Sequence, residues 1–338
     1  MTNSNTNFKR RQLLRALGAT ALGTTALAMP FSILAQSGGS RSDRPISFIL
    51  PVGAGSGVDT IVRAAGPALS KALKHTVVIE NRPGAGGIVG TSAVVKADPD
   101  GFTLSVVSNN HVIYPSVYKT VPFDPIADIT PITLIGSTPF VLVVNPKKLP
   151  VGNVQEMVAL LKKHPGDYNF ASSGNGTVLH LAAEMFVDQA EADARHIPYK
   201  GVGPMITDLI SGQVDFGVLS LPSVRPHLTS GSLRAIGVGG KTRLPSLPDV
   251  PTIAEQGLAD YDMTGWFAAV GPAGLSDAQV KEIYDGFVQA FKDPGLQESM
   301  ESQGNTITLV PPDETAAYFR SELKKYAAVV KQAGIALK

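Results

Sequence analysis

ENRPGAGGIVG, residues 80–90, decides how the rest of the chain is arranged. An apolar, β-branched run at 76–79 precedes it and reads as a buried strand. Asn81, Pro83 and Gly84 mark a turn, and the small residues Ala85, Gly86 and Gly87 lead into a helix over 88–96. The unit is a strand, a glycine-rich loop and a helix start. Glycine lets backbone N–H groups converge and lets another molecule approach closely. A helix start adds unpaired donors and a partial positive charge. Together they hold an anion without a cationic side chain. The same pattern also serves as a tight βα turn that binds nothing, and this stretch alone leaves both readings open.

Working outward, residues 46–50 read as a strand and 51–59, PVGAGSGVD, as a second glycine-rich loop. Apolar residues at helical spacing then predict a helix over 60–73. Asp59 stands where a carboxylate meets the first turn of that helix. Two strands thus deliver Gly-rich loops to helix starts, and in open parallel sheets such loops gather at the carboxyl ends of the strands, where ligands bind. Neither loop is a nucleotide fingerprint. In 53–57 the final glycine of GxGxxG is replaced by Val58, and in 84–90 it comes one residue late. Gly240-Lys241-Thr242 ends like a phosphate loop, but its first glycine falls at Ala235 and Pro245 interrupts the helix that must follow.

A strand over 102–107 runs into the polar residues Ser108, Asn109, Asn110 and His111, and 114–123, with Pro115 and Pro122, reads as loop. Strand signal returns at 140–144, and a crossing between two lobes is placed at 138–144. The second half repeats the logic. A helix over 155–164 leads to a short strand at 168–171. The third small-residue loop, 172–177, follows, and then a helix over 178–186. A strand at 196–199, a helix at 205–210, a strand at 214–219 and a return crossing at 264–270 come next, and helices over 277–292 and 313–332 close the chain.

Residues 1–37 are read as a cleaved export signal of twin-arginine type: Arg10-Arg11 precede a weakly apolar run, and Ala35-Gln36-Ser37 offers small residues for cleavage. The competing reading, a membrane anchor, is weakened by Pro30 and by the scarcity of large apolar residues. About 300 residues remain, enough for two lobes with real cores. The formal net charge of +1 includes the basic leader, so the remainder carries no nucleic-acid footprint. The absence of cysteine suits a large-cored periplasmic protein better than a small disulfide-stapled one. None of the six histidines has another at HxH or HxxxH spacing, no GxSxG elbow is present, and nothing local supplies a base for Ser56. No metal, cofactor or catalytic residue is therefore expected, with a triad assembled from distant residues the remaining enzymatic alternative.

IENRPGAGGIVG (79–90), DPDGFTL (98–104), GNGTVLHLAAEMF (174–186), IPYKG (197–201), DLISGQVDF (208–216), LPDVPTIAEQG (247–257) and VGPAGLS (270–276), in this order, resemble the Bug family, the extracytoplasmic solute-binding proteins of tripartite tricarboxylate transporters. The resemblance runs from about residue 45 to the C-terminus. It implies a two-lobed periplasmic-binding-protein fold of α/β class, each lobe a mainly parallel sheet flanked by helices, with the ligand cleft between them. Residues 44–140 and 264–338 would form lobe 1 and 141–263 lobe 2. It further implies a monomeric periplasmic protein that captures a small organic acid for membrane permease subunits. A subunit presenting solute to a sensor protein and an exported hydrolase are the alternatives.

Carried onto matching positions, the resemblance implies ligand contacts from Gly55, Ser56, Gly57 and Asp59 of the first loop and Gly86 and Gly87 of the second, with Asn110 at a further strand end. The opposing lobe would add Ser173, Asn175, Gly176, Thr177, His180, Tyr199 and Leu219. His180 is equally readable as a helix-packing residue, Lys200 as a solvated lysine, and Arg63 as a structural ion-pair partner. The sequence departs from the family pattern at Val52 and Gly55-Ser56, where an aromatic residue and a glycine pair are usual, and at Leu219-Ser220, where Asp-Asn is usual. Leu219 removes a carboxylate that would pair with a ligand ammonium, so an organic acid without an amino group is expected; the alternatives are that another acid replaces it or that residue 219 faces the core.

Overall fold

The computed structural model describes residues 44–332, and the expected export signal lies outside them. In chain order the elements are β1 (Ile46–Leu50), α1 (Gly57–Leu73), β2 (Val77–Asn81), a single 3-10 turn (Ala85–Gly87), α2 (Ile88–Val95), β3 (Thr103–Ser108), α3 (Asn110–Val117) and β4 (Ile129–Val144). There follow α4 (Val154–Lys163), β5 (Asn169–Ser172), α5 (Val178–Gln189), β6 (Arg195–Pro198), α6 (Val202–Ser211), β7 (Phe216–Ser220), α7 (Leu221–Thr229) and β8 (Arg234–Val238). The last are β9 (Thr264–Pro272), α8 (Asp277–Ala290), α9 (Pro294–Ser302), β10 (Thr306–Val310) and α10 (Pro312–Gln332).

One mixed sheet runs β2-β1-β3-β9-β4-β7-β5-β6, with β8 and β10 both paired to β4. The two flanks are parallel, β2-β1-β3 and β7-β5-β6, as βαβ connections require. The centre is antiparallel, because β9 and the long β4 run against their neighbours. Strand was expected only over 140–144, whereas β4 is a single strand of 16 residues that begins at Ile129. It changes partners along its length: Ile129–Pro139 lies against β9, and Phe140–Val144 against β7 and, on its other edge, β8.

The core forms two clusters. One gathers Phe48, Leu50, Ile61, Leu69, Val106 and Phe287 between the β2-β1-β3 flank and α1 and α8. The larger one runs from α3 and α10 through Val141–Val144 to Phe170, Phe186, Phe216 and Leu219. Two elements differ from expectation for packing reasons. Residues 110–117 form α3 despite Pro115, because Val112, Ile113, Tyr114 and Val117 are all buried and their packing outweighs the lost backbone bond. β10 pairs with β4 through a register shift between Ile307 and Val310, with Leu309 at φ 48°, so its alternation is broken in the sequence as well.

Candidate functional site

The loops that follow β1, β2, β3, β5 and β6 surround a cleft of about 580 Å³. Among the described residues, four helix N-caps stand on its wall: Ser56 of α1, Gly87 of α2, Thr177 of α5 and Gly201 of α6. Ser56 and Thr177 have extended backbones, and their hydroxyls accept from Asp59 N and His180 N, satisfying one orphan N–H of each helix. Gly87 and Gly201 offer no side-chain cap. In α2 the N–H groups of Ile88 and Val89 turn back to Ala85 O and Gly84 O, so it is the first turn of α6, at Val202 and Gly203, whose donors are left for another acceptor. The second loop needs its glycines. Gly84, Gly86 and Gly87 all have positive φ, and a Cβ on Gly87 would run into the Tyr114 hydroxyl.

Polar side chains brace these loops from behind. The Asp59 carboxylate, buried, accepts from Gly55 N (2.9 Å), Arg63 Nε (2.9 Å) and Asn81 Nδ2 (2.8 Å), and Asn81 Nδ2 also donates to Val52 O. The first loop is thereby tied to α1 and to the end of β2. Asn110 links opposite sides of the cleft: its Nδ2 donates to Gly86 O (3.3 Å) and its Oδ1 accepts from Val178 N (2.8 Å). Tyr118 makes a second link, donating to Asn175 O at 3.1 Å. The Tyr199 hydroxyl donates to Asp208, and burial, followed by the Asp208 carboxylate, pushes its pKa up to about 12. The phenol therefore stays neutral and committed to Asp208, and Tyr199 lines the cleft as an aromatic surface.

The structure brings Ser56, Gly86, Gly87, Asn110, Ser173, Asn175, Thr177 and Tyr199 together on the cleft wall. Others stand behind it. Gly55 N is bonded to Asp59, Asp59 is spent on bracing, and Gly57 faces a smaller compartment further in. Gly176 packs against Val117 and donates its N–H to His180 Nδ1 at 3.0 Å. His180 is buried and acts through that loop rather than on the cleft surface. Leu219 is a correction. It is wholly buried in the larger core cluster, β7 being covered on both faces, so the missing aspartate says nothing about the ligand. Pro198, Gly201 and Val202 on the wall were not anticipated, although a glycine after Tyr199-Lys200 and before a helix is an N-cap signal. Tyr118 was missed because 114–123 read as loop.

His180, Glu184 and His196 form one cluster with metal-ligand atoms within 4.8 Å of one another. Its geometry suits bracing better than coordination. The imidazole rings stack at 3.9 Å and 18°, so their in-plane lone pairs run side by side instead of converging. Because His180 Nδ1 accepts from Gly176 N, its proton sits on Nε2, which donates to Glu184 Oε1 (3.1 Å). A metal at Nε2 would cost the loop its bond to Gly176.

No carboxylate lines the cleft, and Lys200 is its one cationic side chain among the described residues. A wall of helix starts, glycine amides and one lysine is suited to an anion. A family model described as tripartite tricarboxylate transporter family receptor matches residues 61–335. The chain belongs to this receptor family. Protein BugT of Bordetella pertussis is 32% identical over 329 residues, 97% of this chain and 99% of that protein. The solved periplasmic binding protein BugD superposes with a TM-score of 0.84 at 29% identity, covering 88% of this chain and all (100%) of that one. A protein of R. palustris solved with adipate gives 0.84 at 28% identity, covering 87% and 99%. This receptor is thus a solute-binding protein of mixed α/β, two-lobed periplasmic-binding-protein fold. None of its described helices is long and apolar enough to cross a membrane.

Proposed function

We propose that the receptor captures a small organic acid in this cleft, in the periplasm, without chemistry, and delivers it to the membrane subunits of a tripartite tricarboxylate-type transporter. The observation that carries the reading is the convergence of four helix N-caps, two lacking a side-chain cap, on a cleft without a carboxylate. A carboxylate there exchanges water for preorganised N–H donors. An ammonium group would meet no acidic partner on the wall, so the acid carries no amino group, a conclusion that now rests on the lining rather than on Leu219. The neighbour solved with adipate is consistent with this class.

We assign residues 44–140 and 264–338 to one lobe and 141–263 to the other. The switch of β4 partners between Pro139 and Phe140, with the start of β9 at Thr264 opposite Pro139, supports these bounds. The test is a thermal-shift and equilibrium-dialysis screen of ligand-stripped protein against mono-, di- and tricarboxylates. Binding of at least one acid is expected. A folded protein that binds none would refute the reading.

A further inference from the structure

The cleft continues inward into a compartment of about 60 Å³ that shares Val52, Ser56, Asn110, Ser173 and Val202 with it. Its back wall comes from the two long central strands: Phe140 of β4, and Gly265 and Trp266 of β9. Most of the wall is carbon, with Val58, Phe140, Val178, Leu179 and Val202 around it. Its polar groups are turned to the protein. Asn109 bonds Trp266 N, Thr264 O and the Tyr326 hydroxyl, and Asn110 bonds Val178 N and Gly86 O. Trp266 Nε1 donates to Glu322, Ser173 Oγ donates to Thr177 Oγ1, and Ser220 Oγ pairs with Ser223 Oγ. Ser56 Oγ accepts from Asp59 N, and the Thr138 hydroxyl is sealed from solvent. Ser108 is half-buried, with its hydroxyl open to water.

We propose that the compartment is an apolar subsite of the cleft, selecting an acid that carries a short alkyl branch beside its carboxylate. The proposal rests on the carboxylate reading of the outer cleft. Val202 joins the two parts: it opens the first turn of α6, where donors are left for a carboxylate, and it also lines the compartment. An acid held at that turn has its first carbons at the mouth. Size sets the length of the branch. Benzene occupies an apolar cavity of about 150 Å³, so about 60 Å³ takes roughly one or two carbons and no ring. Charge is disfavoured. Val178 N is already taken by Asn110, the buried Asp59 carboxylate offsets the positive end of α1, and no cationic side chain among the described residues lines the compartment. A hydroxyl is disfavoured as well, since on entering it exchanges water for carbon, whereas an alkyl branch gains by leaving water.

Trp266 is the sole tryptophan of the chain and lines this compartment, so its emission reports occupancy directly. The experiment titrates ligand-stripped protein, by calorimetry and Trp266 fluorescence together, with matched acids. The sets are succinate, 2-methylsuccinate, 2-ethylsuccinate and malate; propionate, isobutyrate and lactate; and the tightest acid of the wider screen with the same groups placed or removed at the carbon beside its carboxylate. In any set that binds, the methyl member should bind about fourfold tighter than its unbranched parent and shift Trp266 emission more. The hydroxy member should bind no tighter than the parent. Val178→Ile, which adds a methylene to the wall, should cut the gain from the methyl branch. Ser108→Ala, which removes the open hydroxyl, should widen the preference for methyl over hydroxy. No gain on branching in any set that binds, tighter binding of the hydroxy than of the methyl member, or a preference unmoved by both variants would overturn the subsite and leave the carboxylate reading intact. Absence of binding by every acid, here and in the wider screen, would refute both.

Discussion

Asp59 sits on the first turn of α1 and spends its carboxylate on Gly55 N, Arg63 and Asn81. Asp59→Asn should lower stability by about 1–3 kcal/mol in urea unfolding, because the amide replaces a charged acceptor of three bonds and leaves a donor facing donors. Wild-type stability would mean that the brace contributes nothing. His111 gives a pH signature. It is fully buried, donates through Nε2 to Pro125 O at 2.6 Å, and desolvation lowers its pKa to about 4 against weaker opposing effects of that carbonyl and Asp124. The unfolded chain takes up this proton near pH ~6.5, so the contribution is complete above that pH and is lost as pH falls from ~6.5 toward 4. Wild type should lose roughly 3 kcal/mol more than His111→Asn between pH 7 and 4; parallel pH–stability curves would contradict the assignment. At this scale the sequence was legible where a role is local. Asp59 was recognisable as a first-turn acid, but its partner Asn81 is 22 positions away, so bracing rather than ligand contact was not. Leu219 was unreadable for another reason: every residue of β7 is buried, and alternation cannot identify the face that looks toward the cleft.

The site is a property of elements more than of side chains. Gly90, in the first turns of α2, lets that helix lie against β1 and the second loop: a Cβ there would stand 2.6 Å from Arg82 O and 2.7 Å from Pro51 Cα, both backbone. Gly90→Ala should therefore push α2 off the loop, costing about 1–3 kcal/mol of stability and weakening carboxylate binding as Gly87 moves. Unchanged melting and affinity would show that the helix start tolerates displacement. The strand–loop–helix units after β1, β2 and β5 were readable because glycine and small residues punctuate a switch from strand to helix periodicity. The unit after β3 was half-read, Asn110 being named but α3 taken as loop, since Pro115 is a strong local signal overruled by long-range burial. The short α9 and the bulged β10 left no usable periodicity.

For the whole molecule, the central pair β4 and β9 carries the argument. We propose that the lobes rotate about Pro139–Phe140 and Thr264–Gly265, with Asn110 to Val178 N and Tyr118 to Asn175 O as contacts that close across the cleft. Small-angle scattering should show a smaller radius of gyration with a saturating acid, or an already compact form that Asn110→Ala opens; a profile unaffected by ligand and by Asn110→Ala would argue for a rigid cleft. The central claim is that backbone donors hold a carboxylate, and one titration addresses it most directly. The tightest acid found in the screen and its uncharged primary amide are compared on the same ligand-stripped protein by calorimetry. The account predicts that the amide binds at least about a hundredfold more weakly, as expected when charge-assisted bonds are lost in a partly desolvated site. Equal affinity of acid and amide would contradict it.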